Sequence, residues 1–218
     1  MKYRIYYTAF FLLSFTLSAR CQDKEVTADE LFYGFNQTSE GNCVSIAYIK
    51  AAIFTYDIKG VFRIDTLRHD SSFVVLHNNM SFWLSLAEKK AAAVSARFQC
   101  DTQNIRYKEI WQYALVCYAV MVKTRQQLEK IPSFDTALSV MAAGANSRVA
   151  WQYLGLDPKE VEHKPNGSSV NGLGGLVIWR RKHAAFASYG NANLHQGKVS
   201  MTFWRRMIYY GRMSLKRL

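Results

Sequence analysis

Cys43 closes a turn-rich polar run, Gln37-Thr38-Ser39-Glu40-Gly41-Asn42, and opens an apolar one, Val44-Ser45-Ile46-Ala47-Tyr48-Ile49. A thiol at the start of a helix meets free backbone N–H groups and the positive end of the helix dipole. Both favour the thiolate, the nucleophilic form. Gln37, six residues upstream, is placed to return its side-chain amide as a donor to an oxyanion formed at the sulfur. A thiol nucleophile also needs a base to take its proton. Of the five histidines, His69 and His77 fall in a β-patterned stretch, His163 in a Pro/Gly-rich loop and His195 in a late loop. His183 is the one inside an extended run of the C-terminal third. Ala185 and Ala187 follow on its parity, small side chains that leave space above a sheet.

These groups need rigid supports. Ile46, Ile49 and Ile53 with Ala47, Ala51 and Phe54 recur at helical spacing, which predicts a central buried helix from Cys43 to about Tyr56. Alternation at residues 61–65 and β-rich runs at 72–76 and 82–86 predict a small antiparallel excursion, with a turn at Asn78-Asn79. Residues 89–97 read as a helix or a covering segment, and Ile105 to Leu128 as a second long helix ending before Pro132. Ser133 caps a short helix, and Ser147 a second one over residues 149–154. Residues 157–175 read as a long loop. Leu176 to Ala187 reads as one strand, 189–197 as a loop, and Lys198–Tyr210 and Arg212–Leu218 as two closing strands joined at Gly211.

The Gln-x5-Cys spacing at a helix start and the His183-Ala184 pair in an apolar strand resemble papain-like cysteine peptidases. Ile110-Trp111-Gln112-Tyr113-Ala114-Leu115, and Phe134-Asp135-Thr136-Ala137-Leu138 followed by Gly144-Ala145, resemble the calpain-type catalytic core. So does the order of Cys helix, β excursion, Trp helix, short helices, loop and His strand, over about residues 30–210. The resemblance implies an α+β, papain-like/calpain-like fold, its helical part (about 22–155) carrying Cys43 and its β-rich part (156–218) carrying His183. It implies a polypeptide substrate, with Cys43 as nucleophile, His183 as general base and Gln37 as oxyanion donor. The family sets an asparagine in an Asn-x-Trp context after the histidine. Here Thr202 precedes Trp204 in that place, and Asn191 or Asn193 is the candidate to orient His183. Calpain calcium dependence is not carried over, because no acidic loop has ligand spacing. The competing expectations are an inactive papain-like fold serving as a secreted binding or structural module, and another thiol enzyme on this scaffold, transglutaminase-like or a cell-wall amide hydrolase.

Composition bounds the rest. At 218 residues, half of them hydrophobic, the chain can build one substantial core. Lys2 and Arg4 ahead of the apolar Ile5–Leu17 run read as a signal peptide over residues 1–21, so export to a secreted or periplasmic location is expected, with no membrane span after its removal. A lipid anchor on Cys21 is the less favoured variant, since Arg20 fits a lipoprotein cleavage box badly. The net charge is +12, and Lys2, Arg4 and Arg20 account for three of these, leaving +9. That balance reads first as a solvated basic surface, and otherwise suits an acidic substrate, a cell-wall polymer or an anionic membrane surface. No nucleic-acid motif accompanies the basic residues. No CxxC pair or Cys/His cluster has zinc spacing, so no metal or cofactor is expected. Cys100 and Cys117 are either a disulfide or free thiols; Cys43 is the odd one out.

Overall fold

The computed structural model describes residues 25–38, 41–166, 168–194 and 197–218. The signal-peptide expectation and His195 lie outside the described residues. The chain is mixed α+β, as expected. Helix α1 (Ala28–Gly34) starts at a reciprocal cap, in which Glu30 N–H donates to Thr27 Oγ1 (3.2 Å) and Thr27 N–H donates to Glu30 Oε2 (2.7 Å). Strand β1 (Asn36–Gln37) leads to helix α2 (Cys43–Tyr56), which is buried on nearly every face. A helix apolar all round belongs inside a core, and here it forms the centre of the molecule. Each of its enclosed aliphatic side chains (Ile49 and Ile53 are fully buried) adds roughly 1.5–3 kcal/mol of burial free energy.

Strands β2 (Arg63–Leu67), β3 (Ser71–Val75) and β4 (Ser81–Ser85) form the expected antiparallel excursion. Helix α3 (Leu86–Ala96) starts at a Ser85/Glu88 capping box. Strand β5 (Phe98–Gln99) pairs with β1, setting Gln37 opposite Phe98. Helix α4 (Ile105–Leu128) begins at Asn104, whose side chain accepts from Tyr107 N–H. Helix α5 (Phe134–Ala142) has the expected Ser133 cap. Two 3-10 turns follow, Ala150–Leu154 and Pro158–Glu160. His77 ties the second one in through both ring nitrogens, to Glu160 Oε1 (2.6 Å) and the Gly60 carbonyl (3.0 Å).

The C-terminal part is a six-stranded antiparallel sheet in the order β10-β9-β8-β7-β11-β6. Its strands are β6 (Val161–His163), β7 (Leu176–Arg180), β8 (His183–Ser188), β9 (Asn191–Leu194), β10 (Gly197–Ser200) and β11 (Gly211–Leu215). Helix α6 (Phe203–Ile208) interrupts it between β10 and β11. The region departs from the sequence expectation in three ways. The run 176–187 is a hairpin, turning at Arg181-Lys182 with Lys182 at φ +66° and pairing Arg180 with His183. The loop over 189–197 contains β9. The stretch 198–210 holds a short strand and a helix in place of one strand, because the chain leaves the sheet after Ser200 and returns at Gly211.

Both faces of this sheet are covered. On the inner face Val177, Trp179, Ala184, Phe186, Met213 and Leu215 pack with α2 and the helical part. Phe186 touches Phe32 (ring centroids 5.3 Å) and Phe54 (6.2 Å). On the outer face Leu176, Ile178, Ala185, Ala187, Met201 and Tyr209 belong to a second, smaller cluster. Ala185 and Ala187 therefore leave no open space above the sheet, since the segments 170–173 and 201–209 fill it. Among the described residues no helix is long and apolar enough to cross a membrane.

Candidate active site

The segment before Cys43 is fixed from three sides. Thr38 Oγ1 donates to the Arg97 carbonyl (2.8 Å). Gly41 sits at φ +110°, and a Cβ there would come within 2.4 Å of the Ala142 carbonyl oxygen at the end of α5. Only glycine allows that approach and that backbone. Asn42 is buried and occupies the N-cap position of α2, yet its side chain does not cap the helix. Its Nδ2 donates to the Ala96 carbonyl (3.1 Å) and its Oδ1 accepts from the Tyr118 hydroxyl (3.2 Å). The side chain thus anchors the loop and leaves the first-turn N–H groups of α2 uncapped by Asn42. Cys43, the first residue of the helix, is a half-buried free thiol. Cys100 and Cys117 are free thiols as well, so the disulfide alternative is not the one adopted.

Gln37 is half-buried on β1, and its Oε1 is enclosed without a hydrogen-bond partner. Such an atom costs about 1–3 kcal/mol of lost solvation, so the carboxamide is held there by its surroundings and not by a bond at that oxygen.

His183 opens β8, half-buried, at the end of the strand. Two contacts set the direction of α2 along that strand. Phe54, near the C-terminal end of α2, meets Phe186 and, at 5.9 Å, Tyr189 beyond the end of β8. Lys50 reaches Asn193 on the neighbouring strand. Helix and strand therefore run the same way. Seven residues back from Lys50 is about 10 Å of helix, and three residues back from Phe186 is about 10 Å of strand. Cys43 and His183 thus open elements that run the same way, with His183, on the parity of Ala185 and Ala187, set toward the outer face of the sheet and α2 packed on the inner face.

Tyr209 is the residue that meets His183. Its ring lies edge-on to His183 (6.2 Å) and beneath the Arg180 guanidinium (5.6 Å). Burial raises its pKa, and the Arg180 guanidinium opposes the rise. The sequence reading missed Tyr209 because it absorbed residues 198–210 into one strand. The Tyr209-Tyr210-Gly211 step was the available turn signal.

The two asparagines take other places. β9 pairs Asn191 with Ser188 and Ala192 with Ala187, at the far end of β8 from His183. Asn193 Oδ1 accepts from Lys50 Nζ (2.6 Å), and its Nδ2 donates to the carbonyls of Phe32 (3.2 Å) and Gly197 (3.3 Å). Asn191 Nδ2 donates to the Tyr189 carbonyl (3.2 Å). These registers and bonds set both asparagines toward the end of β8 away from His183. Thr202 is the exposed N-cap residue of α6, and Trp204 projects from that helix with 76% of its surface exposed, so no Asn-x-Trp-like strand stands there.

Comparison with protein-family models, with curated proteins and with solved structures gave no match for this chain.

Proposed function

We propose that the chain is an exported cysteine endopeptidase with a papain-like, calpain-type fold. Cys43 sulfur attacks the peptide carbonyl, and His183 takes the thiol proton and returns it to the leaving amine. The oxyanion is held by the Cys43 backbone N–H and the Gln37 amide, and water then releases the acyl-enzyme. What supports this reading is a free, half-buried thiol at the uncapped start of a buried helix that packs on the sheet whose strand β8 opens at His183. The uncapped helix start adds backbone donors where charge would develop.

The test uses the protein's own cysteines as controls. In native protein iodoacetamide should label Cys43 faster than Cys100, whose pKa is raised by burial and by Asp101, and leave the enclosed Cys117 intact. His183→Ala should slow labelling of Cys43 about tenfold or more, and Cys43→Ala should lower hydrolysis of an unfolded protein substrate by roughly a thousandfold. Labelling of Cys43 at the Cys100 rate, unchanged by His183→Ala, overturns the catalytic reading. The second reading, an inactive binding module on the same scaffold, is favoured by Asn193, whose carboxamide is held by Lys50 and the two carbonyls. It predicts no hydrolysis by wild-type protein.

A further inference from the structure

From Glu162 onward the chain contains no further aspartate or glutamate, while residues 163–218 carry ten lysines and arginines. Nearly all of the +12 net charge therefore resides in the sheet half, and the first 162 residues hold only +2 of it. Helix α6 stands in this acid-free region and turns its apolar side chains outward. Phe203, Trp204, Met207 and Ile208 are each more than half exposed, Trp204 at 76%, and Tyr210 follows at 42%. Positions 203, 204, 207 and 208 are one turn apart in pairs, so they form a single outward face. Arg205 and Arg206 fill the two positions between them. Arg180, over the Tyr209 ring at the helix's C-terminal end, brings in the exposed hairpin turn Arg181-Lys182.

We infer that this face docks on an anionic lipid surface, with the α6 side chains at the level of the headgroups and acyl-chain boundary and the surrounding cations on lipid phosphates. An apolar centre with a basic rim and with Trp and Tyr at its border is the composition of interfacial membrane-binding elements. Soluble monomers seldom leave such a patch uncovered. Charge selects this occupant over the others. A second copy of the chain would bring ten like charges against ten. A soluble polyanion would answer the arginines and leave Phe203, Met207 and Ile208 without a partner. A bilayer of anionic lipid answers both. The inference does not depend on the thiol chemistry.

The experiment is hydrogen exchange of residues 201–210 in the full chain, alone and with vesicles of phosphatidylcholine or of phosphatidylcholine with one-third phosphatidylglycerol. Anionic vesicles should slow exchange in 203–210 about tenfold and neutral vesicles should leave it unchanged. The triple substitution Phe203→Ser/Trp204→Ser/Met207→Ser should abolish the protection, while Ile105→Ser, at an equally exposed site elsewhere, should keep it. Arg181→Gln with Lys182→Gln should weaken vesicle partitioning roughly twenty- to thirtyfold, at about 1 kcal/mol for each cation near the surface. Co-sedimentation with vesicles without protection of 203–210 would mean that another segment anchors the chain, and it overturns the inference. Protection that appears without lipid and grows with protein concentration points to self-association, and equal protection by polyglutamate to an acidic partner; either one overturns it too.

Discussion

At the residue scale, Lys50 is the least conventional group in the core. Its side chain is fully buried, one turn of α2 from Ile46, Ile53 and Phe54, yet among the described residues no carboxylate pairs with it. Nζ donates to Asn36 Oδ1 (3.2 Å) and Asn193 Oδ1 (2.6 Å), and it lies 4.8 Å from the centre of the Phe35 ring. Desolvation holds its pKa well below the ordinary lysine value. The unfolded chain then binds the proton more tightly than the folded one, so stability rises with pH between the folded pKa and about 10.4, the unfolded value. Urea unfolding of wild type and Lys50→Met across this window should show wild type gaining on the variant by up to about 1.4 kcal/mol per pH unit; parallel curves would mean that the amine stays charged when folded. The tyrosines whose pKa is raised lose stability only at higher pH, and they cancel in the difference. The helix start at Cys43 was legible in the sequence because a polar turn running into an apolar helix is a local pattern. The use of Asn193 was not legible, because only the packing of β9 against α2, a non-local contact, brings that amide to Lys50.

At the element scale, α6 shows how tertiary structure holds a helix too short to persist alone. Six residues cannot recover the cost of helix nucleation in water. Arg212, on β11 and 1% exposed, supplies the support. Its Nη2 donates to the carbonyls of Arg206 (2.8 Å) and Tyr209 (3.4 Å) at the end of the helix, and its Nη1 donates to the Ser168 carbonyl and, at 3.2 Å, to Ser168 Oγ. A buried guanidinium on the last carbonyls of a helix satisfies acceptors that would otherwise be orphaned and complements the negative dipole end. Arg212→Met should therefore speed amide exchange in 203–209 at least tenfold while leaving α4 protected. Unchanged exchange in α6 would show that the helix does not need this strut. The helices ordered by their own caps, α4 at Asn104 and α5 at Ser133, were legible as sequence, since capping residues and apolar spacing are encoded within the element. The interval 198–210 was not legible. Its aromatic and β-branched residues satisfy strand patterning, and what makes part of it helical is an arginine beyond its end.

At the scale of the whole molecule, charge is divided along the same line as structure. The helical half balances its own ionisable groups, as in Lys123–Glu88 (2.6 Å) and Arg125–Glu129 (3.0 Å). The sheet half has few carboxylates of its own, and none after Glu162. Lys198 reaches across to Asp29 (2.7 Å) and Lys164 back to Glu162 (2.7 Å), and exposed pairs of this kind contribute little. The remaining cations repel one another across one side of the fold, and that repulsion is relieved on unfolding, when the chain expands. Arg212 concentrates the effect, because burial, and after it Arg206, disfavour its charged form. Screening should then stabilise the native state. Raising NaCl from about 10 mM, where the Debye length is about 30 Å, to about 200 mM, where it is below 8 Å, should raise Tm by about 2–4 °C, the shift expected from roughly 1 kcal/mol in a chain of this size. Calorimetry at fixed pH reads this directly. A Tm that is flat or falls over that range would mean that the sheet-side cations are already neutralised within the fold, and the excess of positive charge would then carry no energetic tension for a bound anion to release.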